Sequence, residues 1–232
     1  YIESLKISED IKNIRDNASS YNNIGNVFKS IDNYDRALEY YQKALSLHKK
    51  IGDKNLLAFT YNNIGSIYWL KDRPFKALDF YAEALMLRRE LKDNNAIAGS
   101  LKNMGIVYKD MQKYSQAIEN YEKAIILYEA TGDKRNISSV YNYLGNVFIE
   151  LKQPQKALDN YITGYNVSKE IIFNEGIVFS AMNMGEAYLL LNKNKVAEEY
   201  FQEALDIAKV IQQKEVMKEI YKILADLFSK SN

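Results

Sequence analysis

Apolar positions recur along this chain at helical spacing and in a fixed order. Ile24, Gly25 and Phe28 follow Tyr21 at three, four and seven residues, and Tyr41 and Ala44 follow Ala37 at four and seven. Each set falls on one face of a helix, with polar residues between its members. The first phrase returns every 40 residues, marked by Gly25, Gly65, Gly105, Gly145 and Gly185, with Ala225 at the next step. An aromatic stands three residues after each: Phe28, Tyr68, Tyr108, Phe148, Tyr188 and Phe228. The second phrase keeps the same period through Ala37, Ala77, Ala117, Ala157 and Ala197, followed by Tyr41, Tyr81, Tyr121, Tyr161 and Phe201. It closes on Ala44, Ala84, Ala124, Gly164 and Ala204. Self-similarity at a fixed period of this size is the signature of a repeat architecture.

Breakers divide the phrases. Asp32-Asn33 and Asp72-Arg73 fall between the two sets, and Pro74 and Pro154 open the second one, where a missing N–H costs nothing. Gly52-Asp53 and Gly132-Asp133 can close one helix and cap the next, glycine as the C′ residue and aspartate as the N-cap. The pattern predicts a hairpin of two helices per period, each about 14–18 residues long. Packed helices lie about 8–10 Å apart, so glycine on one helix is expected to meet alanine on its partner, with the aromatics filling the space where the pair diverges. One hairpin cannot cover both of its apolar faces, so neighbouring repeats must stack into a solenoid.

These residues resemble the tetratricopeptide repeat family, in a forty-residue form. That family's first helix carries an aromatic, a large aliphatic, a small residue and a second aromatic, here Tyr21, Ile24, Gly25 and Phe28, then Tyr61, Ile64, Gly65 and Tyr68. Its second helix carries small, aromatic and small residues, as the Ala37, Tyr41 and Ala44 series does. The resemblance implies an all-α fold, a right-handed α-solenoid or superhelix of stacked antiparallel helical hairpins. It divides 1–232 into the second helix of a truncated repeat (1–13), five full repeats (14–53, 54–93, 94–133, 134–173 and 174–213) and the first helix of another truncated repeat (214–232). The family's proline near the end of the second helix is absent, and that helix runs on to Ile51, Leu91, Ile171 or Ile211. Gly164, in place of alanine, is expected to loosen the second helix of the fourth repeat. Tyr1-Ile-Glu-Ser-Leu5 is in register with Tyr41-Gln-Lys-Ala-Leu45, so the chain reads as an excerpt from a longer protein. The face Tyr221, Leu224, Ala225 and Phe228 has no following helix, which predicts weak end-to-end self-association.

Charge and composition narrow the chemistry. With 31 Lys+Arg against 30 Asp+Glu, the net charge of +1 argues against a broad nucleic-acid surface. No apolar run approaches the ~20 residues of a membrane span, so no membrane insertion is expected. The chain has no cysteine, which removes thiolate metal sites and thiol nucleophiles and suits cytoplasm and periplasm alike. Its one histidine, His48, sits where the other repeats carry Arg88, Tyr128, Ser168 and Ala208, a variability that fits a non-catalytic place. Asp79 and Glu83 stand at helical spacing as a solvated face, and no phosphate-binding glycine motif occurs. Neither enzymatic activity, a cofactor nor a metal is expected.

The candidate site follows from the resemblance, which implies that first helices line a concave groove. Three series flank the core aliphatic and the glycine. The first is Asn22, Asn62, Lys102, Asn142 and Met182; the second is Asn23, Asn63, Asn103, Tyr143 and Asn183; the third is Asn26, Ser66, Ile106, Asn146 and Glu186. An asparagine amide offers an acceptor and two donors that match a peptide unit. The expected groove residues are therefore Asn22, Asn23, Asn26, Asn62, Asn63, Lys102, Asn103, Asn142, Asn146 and Asn183, holding a protein or peptide segment by its backbone. Phe59 and Phe179, with Trp69-Leu70 and Leu189-Leu190, could anchor a partner's side chains, but packing against the neighbouring repeat is the favoured reading. The function expected is a protein–protein interaction module; the alternative is the sensory or regulatory region of a larger, bacterial signalling protein or transcription regulator.

Overall fold

The computed structural model describes the backbone over residues 2–231 and side chains over residues 13–229. Among the described residues the secondary structure is entirely helical: α1 (Ile2–Ser30), α2 (Tyr34–Ile51), α3 (Lys54–Leu70), α4 (Pro74–Glu90), α5 (Asn94–Asp110), α6 (Tyr114–Thr131), α7 (Lys134–Glu150), α8 (Pro154–Glu170), α9 (Asn174–Leu190), α10 (Asn194–Val210) and α11 (Lys214–Ser231). The helices fall into two compact units, Tyr1–Met111 and Gln112–Asn232. In the first, α1 pairs with α2 and α3 with α4, and the pairs stack through α2–α3 and α4–α5. In the second, α7 pairs with α8 and α9 with α10, with stacking through α6–α7, α8–α9 and α10–α11. This is the all-α solenoid of stacked antiparallel hairpins that the period predicts.

Punctuation is twice as frequent as the 40-residue period. A left-handed residue ends a helix at Asp32, Gly52, Asp72, Lys92, Gln112, Gly132, Lys152, Ile172, Asn192 and Gln212, one every 20 residues. Gly52 N–H donates to His48 O at 3.0 Å, but at most of the others the backbone closes over the left-handed residue in one way, as where Asn33 N–H donates to Phe28 O at 2.9 Å and Gln153 N–H to Phe148 O at 2.8 Å. These are the 6→1 bonds that satisfy the carbonyls left over at a helix C-terminus. Gly52 and Gly132 are the two glycines that the sequence marks, and the following aspartates cap as expected. Asp53 Oδ1 accepts from the Asn55 and Leu56 N–H groups at 3.0 and 3.2 Å, and Asp133 Oδ1 from Asn136 N–H at 3.1 Å. Pro74 and Pro154 open α4 and α8.

Ile172 stands out among the left-handed residues, because it is β-branched at φ 54° and 80% exposed, with little packing to offset the strain. The left-handed region costs an L-residue roughly 1–2 kcal/mol. Ile172→Gly is expected to raise stability by about 1 kcal/mol, less than the full strain because glycine gains freedom in the unfolded chain. The urea midpoint should rise, while Ile172→Val, equally β-branched, should leave it unmoved.

Packing differs from expectation at four places. At Gly25, Gly65, Gly145 and Gly185 the nearest group is the ring of the second helix, and Gly65 also meets its alanine, with Ala77 O 3.2 Å from a Cβ placed there. A Cβ on Gly25 would lie 2.6 Å from Tyr41 Cε1, on Gly145 2.2 Å from Tyr161 Cε1, and on Gly185 2.7 Å from Phe201 Cζ. The aromatic therefore lies on the glycine itself, and the alanines, such as Ala37, Ala77, Ala157 and Ala197 (all 0% exposed), fill the core beside it. Gly164 does not interrupt α8. It makes room, since a Cβ there would meet Asn142 Nδ2 at 2.8 Å and Ser138 O at 2.9 Å. The junction expected between residues 13 and 14 is absent, and α1 runs through it unbroken; Lys12-Asn13 stands there instead of a Gly-Asp pair. Of the α11 face expected to be uncovered, Leu224 is buried in the core of the second unit, whereas Tyr221 and Phe228 are half exposed.

Candidate binding groove

The asparagine positions lie one or two residues before the core aliphatic and two after it, as Asn22, Asn23 and Asn26 do around Ile24. In the first unit Asn103 Nδ2 on α5 donates to Asn62 Oδ1 on α3 at 2.9 Å. In the second unit Asn183 Nδ2 on α9 donates to Asn142 Oδ1 on α7 at 3.1 Å. The two bonds are equivalent, each linking consecutive first helices of its own unit across 41 residues, so that in each unit the amides partly satisfy one another.

Of the ten residues picked out from sequence, Asn23 alone is fully exposed. Asn22 is buried and donates to Thr60 Oγ1 at 3.1 Å. Asn142 is buried too, donating to Ser138 O at 2.9 Å and Ser180 Oγ at 2.8 Å. Asn26 and Asn146, half-buried, accept from the phenols of Tyr41 and Tyr161 at 2.7 and 2.6 Å. Asn62, Lys102, Asn103 and Asn183 are half-buried. Asn63 is 7% exposed, and its Nδ2 has no hydrogen-bond partner. The expectation of a solvent-facing row thus fails at Asn22, Asn63 and Asn142, because the adjacent first helix lies close enough to cover them.

Three of these asparagines surround a cavity of about 110 Å³ in the first unit. Asn62, Asn63 and Asn103 line it together with Lys29 of α1, Ser66 and Trp69 of α3, Tyr81 of α4 and Ile106 of α5. Lys29 and Tyr81 were invisible as site residues in the sequence, since one reads as a surface charge and the other as core. Trp69 is held by its indole N–H, which donates to Asp110 Oδ2 at 2.7 Å. Burial pushes the Tyr81 phenol well above its ordinary range against an opposing hydrogen bond with Ser66, and burial raises Tyr41 to about 12, so both hydroxyls stay protonated donors. In the second unit the place of Asn63 is taken by Tyr143, whose ring stacks on Tyr121 with centroids 5.9 Å apart. The amide-lined cavity is therefore a feature of the first unit's own sequence.

Phe59 and Phe179 keep 47% and 44% of their surface exposed, and Leu70 and Leu190 keep 40% and 58%. The expectation that neighbouring repeats bury these groups is not met at those four residues, while Trp69 and Leu189 are half-buried and pack against core clusters. Among the described residues no cluster of three or more His, Asp or Glu side chains converges as a metal-ion site would require. Among them, too, no helix is long and apolar enough to cross a membrane.

The fold has many solved counterparts. BtubC (BKLC) from P. vanneervenii is 17% identical, with a TM-score of 0.72 over 88% of this chain and 92% of that one. The apo form of RapI is 18% identical, with a TM-score of 0.78 over 91% of this chain and 77% of that one. The Rap conjugation gene regulator of plasmid pLS20, solved in complex with the Phr* peptide, is 18% identical with a TM-score of 0.74; this chain covers 57% of it, with 90% of its own length aligned. At these identities the likeness is one of fold. No curated protein matches the sequence. Family models described as tetratricopeptide repeat match residues 16–90 and 96–170, more than half of the chain, and a further one matches residues 180–210. The forty-residue period, the glycine-on-aromatic packing and these matches agree, and the chain belongs to the tetratricopeptide repeat family.

Proposed function

We propose that this protein is an interaction module that binds a peptide or protein segment along the groove face of its first helices, with Asn62, Asn63 and Asn103 as polar contacts in the first unit. The observation that carries this reading is the cavity bounded by those three amides, with the buried Asn63 Nδ2 left as a donor for a bound acceptor. A buried donor without a partner costs about 1–3 kcal/mol, and a ligand carbonyl recovers that cost on binding. Structures of the same fold include one holding a peptide, which agrees with the reading. A second reading makes the chain the sensory region of a larger regulator, and it is favoured by the same gene regulator, of which this chain covers 57%.

An unbiased displayed-peptide library supplies the test. Peptides enriched on the wild-type chain should bind Asn63→Ala/Asn103→Ala more weakly by about 5- to 150-fold, from two hydrogen bonds of roughly 0.5–1.5 kcal/mol each. Folding should change little at Asn63, which loses no bond, and modestly at Asn103, which loses its rung to Asn62. Equal affinity in the double variant, or enrichment of no peptide at all, refutes the groove reading.

A further inference from the structure

The chain's one histidine lies in a buried polar knot where three helices of the first unit meet. His48 on α2 is 0% exposed, and its Nδ1 lies 2.9 Å from Thr60 Oγ1 on α3. Asn22 Nδ2 on α1 donates to the same oxygen at 3.1 Å. The Thr60 hydroxyl has a single proton, and it is donated to Leu56 O at 2.9 Å. Its oxygen therefore accepts from both neighbours, which requires His48 Nδ1 to carry a hydrogen. Nε2 is buried with no hydrogen-bond partner for a second N–H, and that burial favours the neutral ring, with a bare lone pair on Nε2.

A second proton can go only to that nitrogen. It would create a buried cation and a new N–H, and burying either without a partner is costly. The unpartnered acceptor in the knot is Asn22 Oδ1, but the Asn22 amide is oriented by its bond to Thr60 and cannot turn without breaking it. The next repeat shows what a cation at this place needs. Arg88 stands at the equivalent position and donates to Ala96 O at 3.0 Å and to Ser100 Oγ at 2.6 Å. In the first repeat the corresponding carbonyl, Leu56 O, is taken by Thr60.

We propose that His48 is an acid-sensitive latch, whose protonation undoes the knot and releases the α1–α2 hairpin from α3. The charges around it do not offset that. Asp53, at the start of α3, favours protonation and Arg15 on α1 opposes it, and the two are engaged with each other at 2.7 Å. On its own helix Lys49 and Lys50 are exposed cations. Burial is the largest influence and holds the imidazole below its ordinary value. A group depressed in the folded state stabilises fully above its unfolded value, near 6.5 for histidine, and loses that contribution as pH falls through the folded value. Between the two, the opening equilibrium rises up to tenfold per pH unit.

Because the sequence has one histidine, its ring Cε1 proton is unambiguous in a proton NMR spectrum of the whole chain. It should titrate below the ordinary histidine value. Amide exchange in α3 and the second half of α1, corrected for intrinsic rates, should quicken between about pH 7.5 and 5. His48→Gln should abolish that acid dependence. A histidine that titrates at or above its ordinary value, or acid-quickened exchange that persists in His48→Gln, overturns the latch. Should the glutamine variant not fold, the wild-type titration and exchange decide. No peptide enters the experiment, so its outcome is separate from that of the groove reading.

Discussion

Gly145→Leu is expected to abolish cooperative folding of the second unit. A Cβ at that position lies 2.2 Å from Tyr161 Cε1 and 2.5 Å from Cδ1, well inside contact distance. The ring cannot retreat easily, because Tyr161 is 2% exposed and its hydroxyl is fixed on Asn146 Oδ1 at 2.6 Å. Overpacking a filled core costs about 1–3 kcal/mol for modest additions, and leucine adds a branched side chain at the closest point of the helix pair. Against a total stability of about 5–15 kcal/mol, a cost beyond that range leaves little folded protein. Gly145→Ala isolates the first atom of the clash. It gains about 1 kcal/mol in helix propensity yet should still lower the melting temperature measured by circular dichroism. An alanine variant as stable as wild type would mean that the ring is free to move and the glycine column is not a packing constraint.

That column shows how far the sequence discloses the fold. Gly25, Gly65, Gly145 and Gly185 were legible as close-contact positions because nothing else explains glycine inside a helix at a fixed period. Their partner was not legible. Alanine and tyrosine occur on the same face of the second helix, four residues apart, and which of them meets the glycine depends on the crossing geometry of the pair. The left-handed stops were legible at Gly52 and Gly132 but hidden at Lys92, Lys152 and Ile172, residues with no preference for that conformation. There the stop is held by the 6→1 backbone bond that follows it rather than by a preference of the residue itself.

The candidate site was legible as a row and illegible as a surface. The forty-residue period puts Asn22, Asn62 and Asn142 at one register position, yet Asn22 turns to Thr60, Asn62 to Asn103, and Asn142 to Ser138 and Ser180 as well as Asn183. Each outcome is decided by the residue 38 or 41 positions later, on the next first helix. A polar residue followed at that distance by serine, threonine or asparagine is a signal that the sequence does contain, and it marks amides that tie helices together. Asn63, followed there by Leu101 and Met104, lacks it. The residue in register one rung back is Asn22, and although both amides are asparagines, Asn22 Oδ1 and Asn63 Nδ2 are each without a partner.

Asn142→Ala is expected to cost about 2–4 kcal/mol of stability, although the residue falls in the same row as the proposed ligand contacts. Its amide makes three hydrogen bonds at 1% exposure, to Ser138 O, to Ser180 Oγ and from Asn183 Nδ2. Each is worth about 0.5–1.5 kcal/mol, and truncation leaves the partner groups buried around a void. The void has a neighbour shaped to it, because Gly164 is where the other repeats carry alanine, and a methyl there would meet Asn142 Nδ2 at 2.8 Å. Gly164→Ala alone should therefore destabilise α8 despite alanine's better helix propensity. Joined to Asn142→Ala, the same methyl loses one of its clashes, so the double variant should be more stable than the sum of the singles by about 1 kcal/mol. Urea midpoints of the four proteins give that coupling. Strict additivity would show that the glycine and the asparagine do not share the space. A melting temperature unchanged in Asn142→Ala would return Asn142 to the set of amides free to hold a partner.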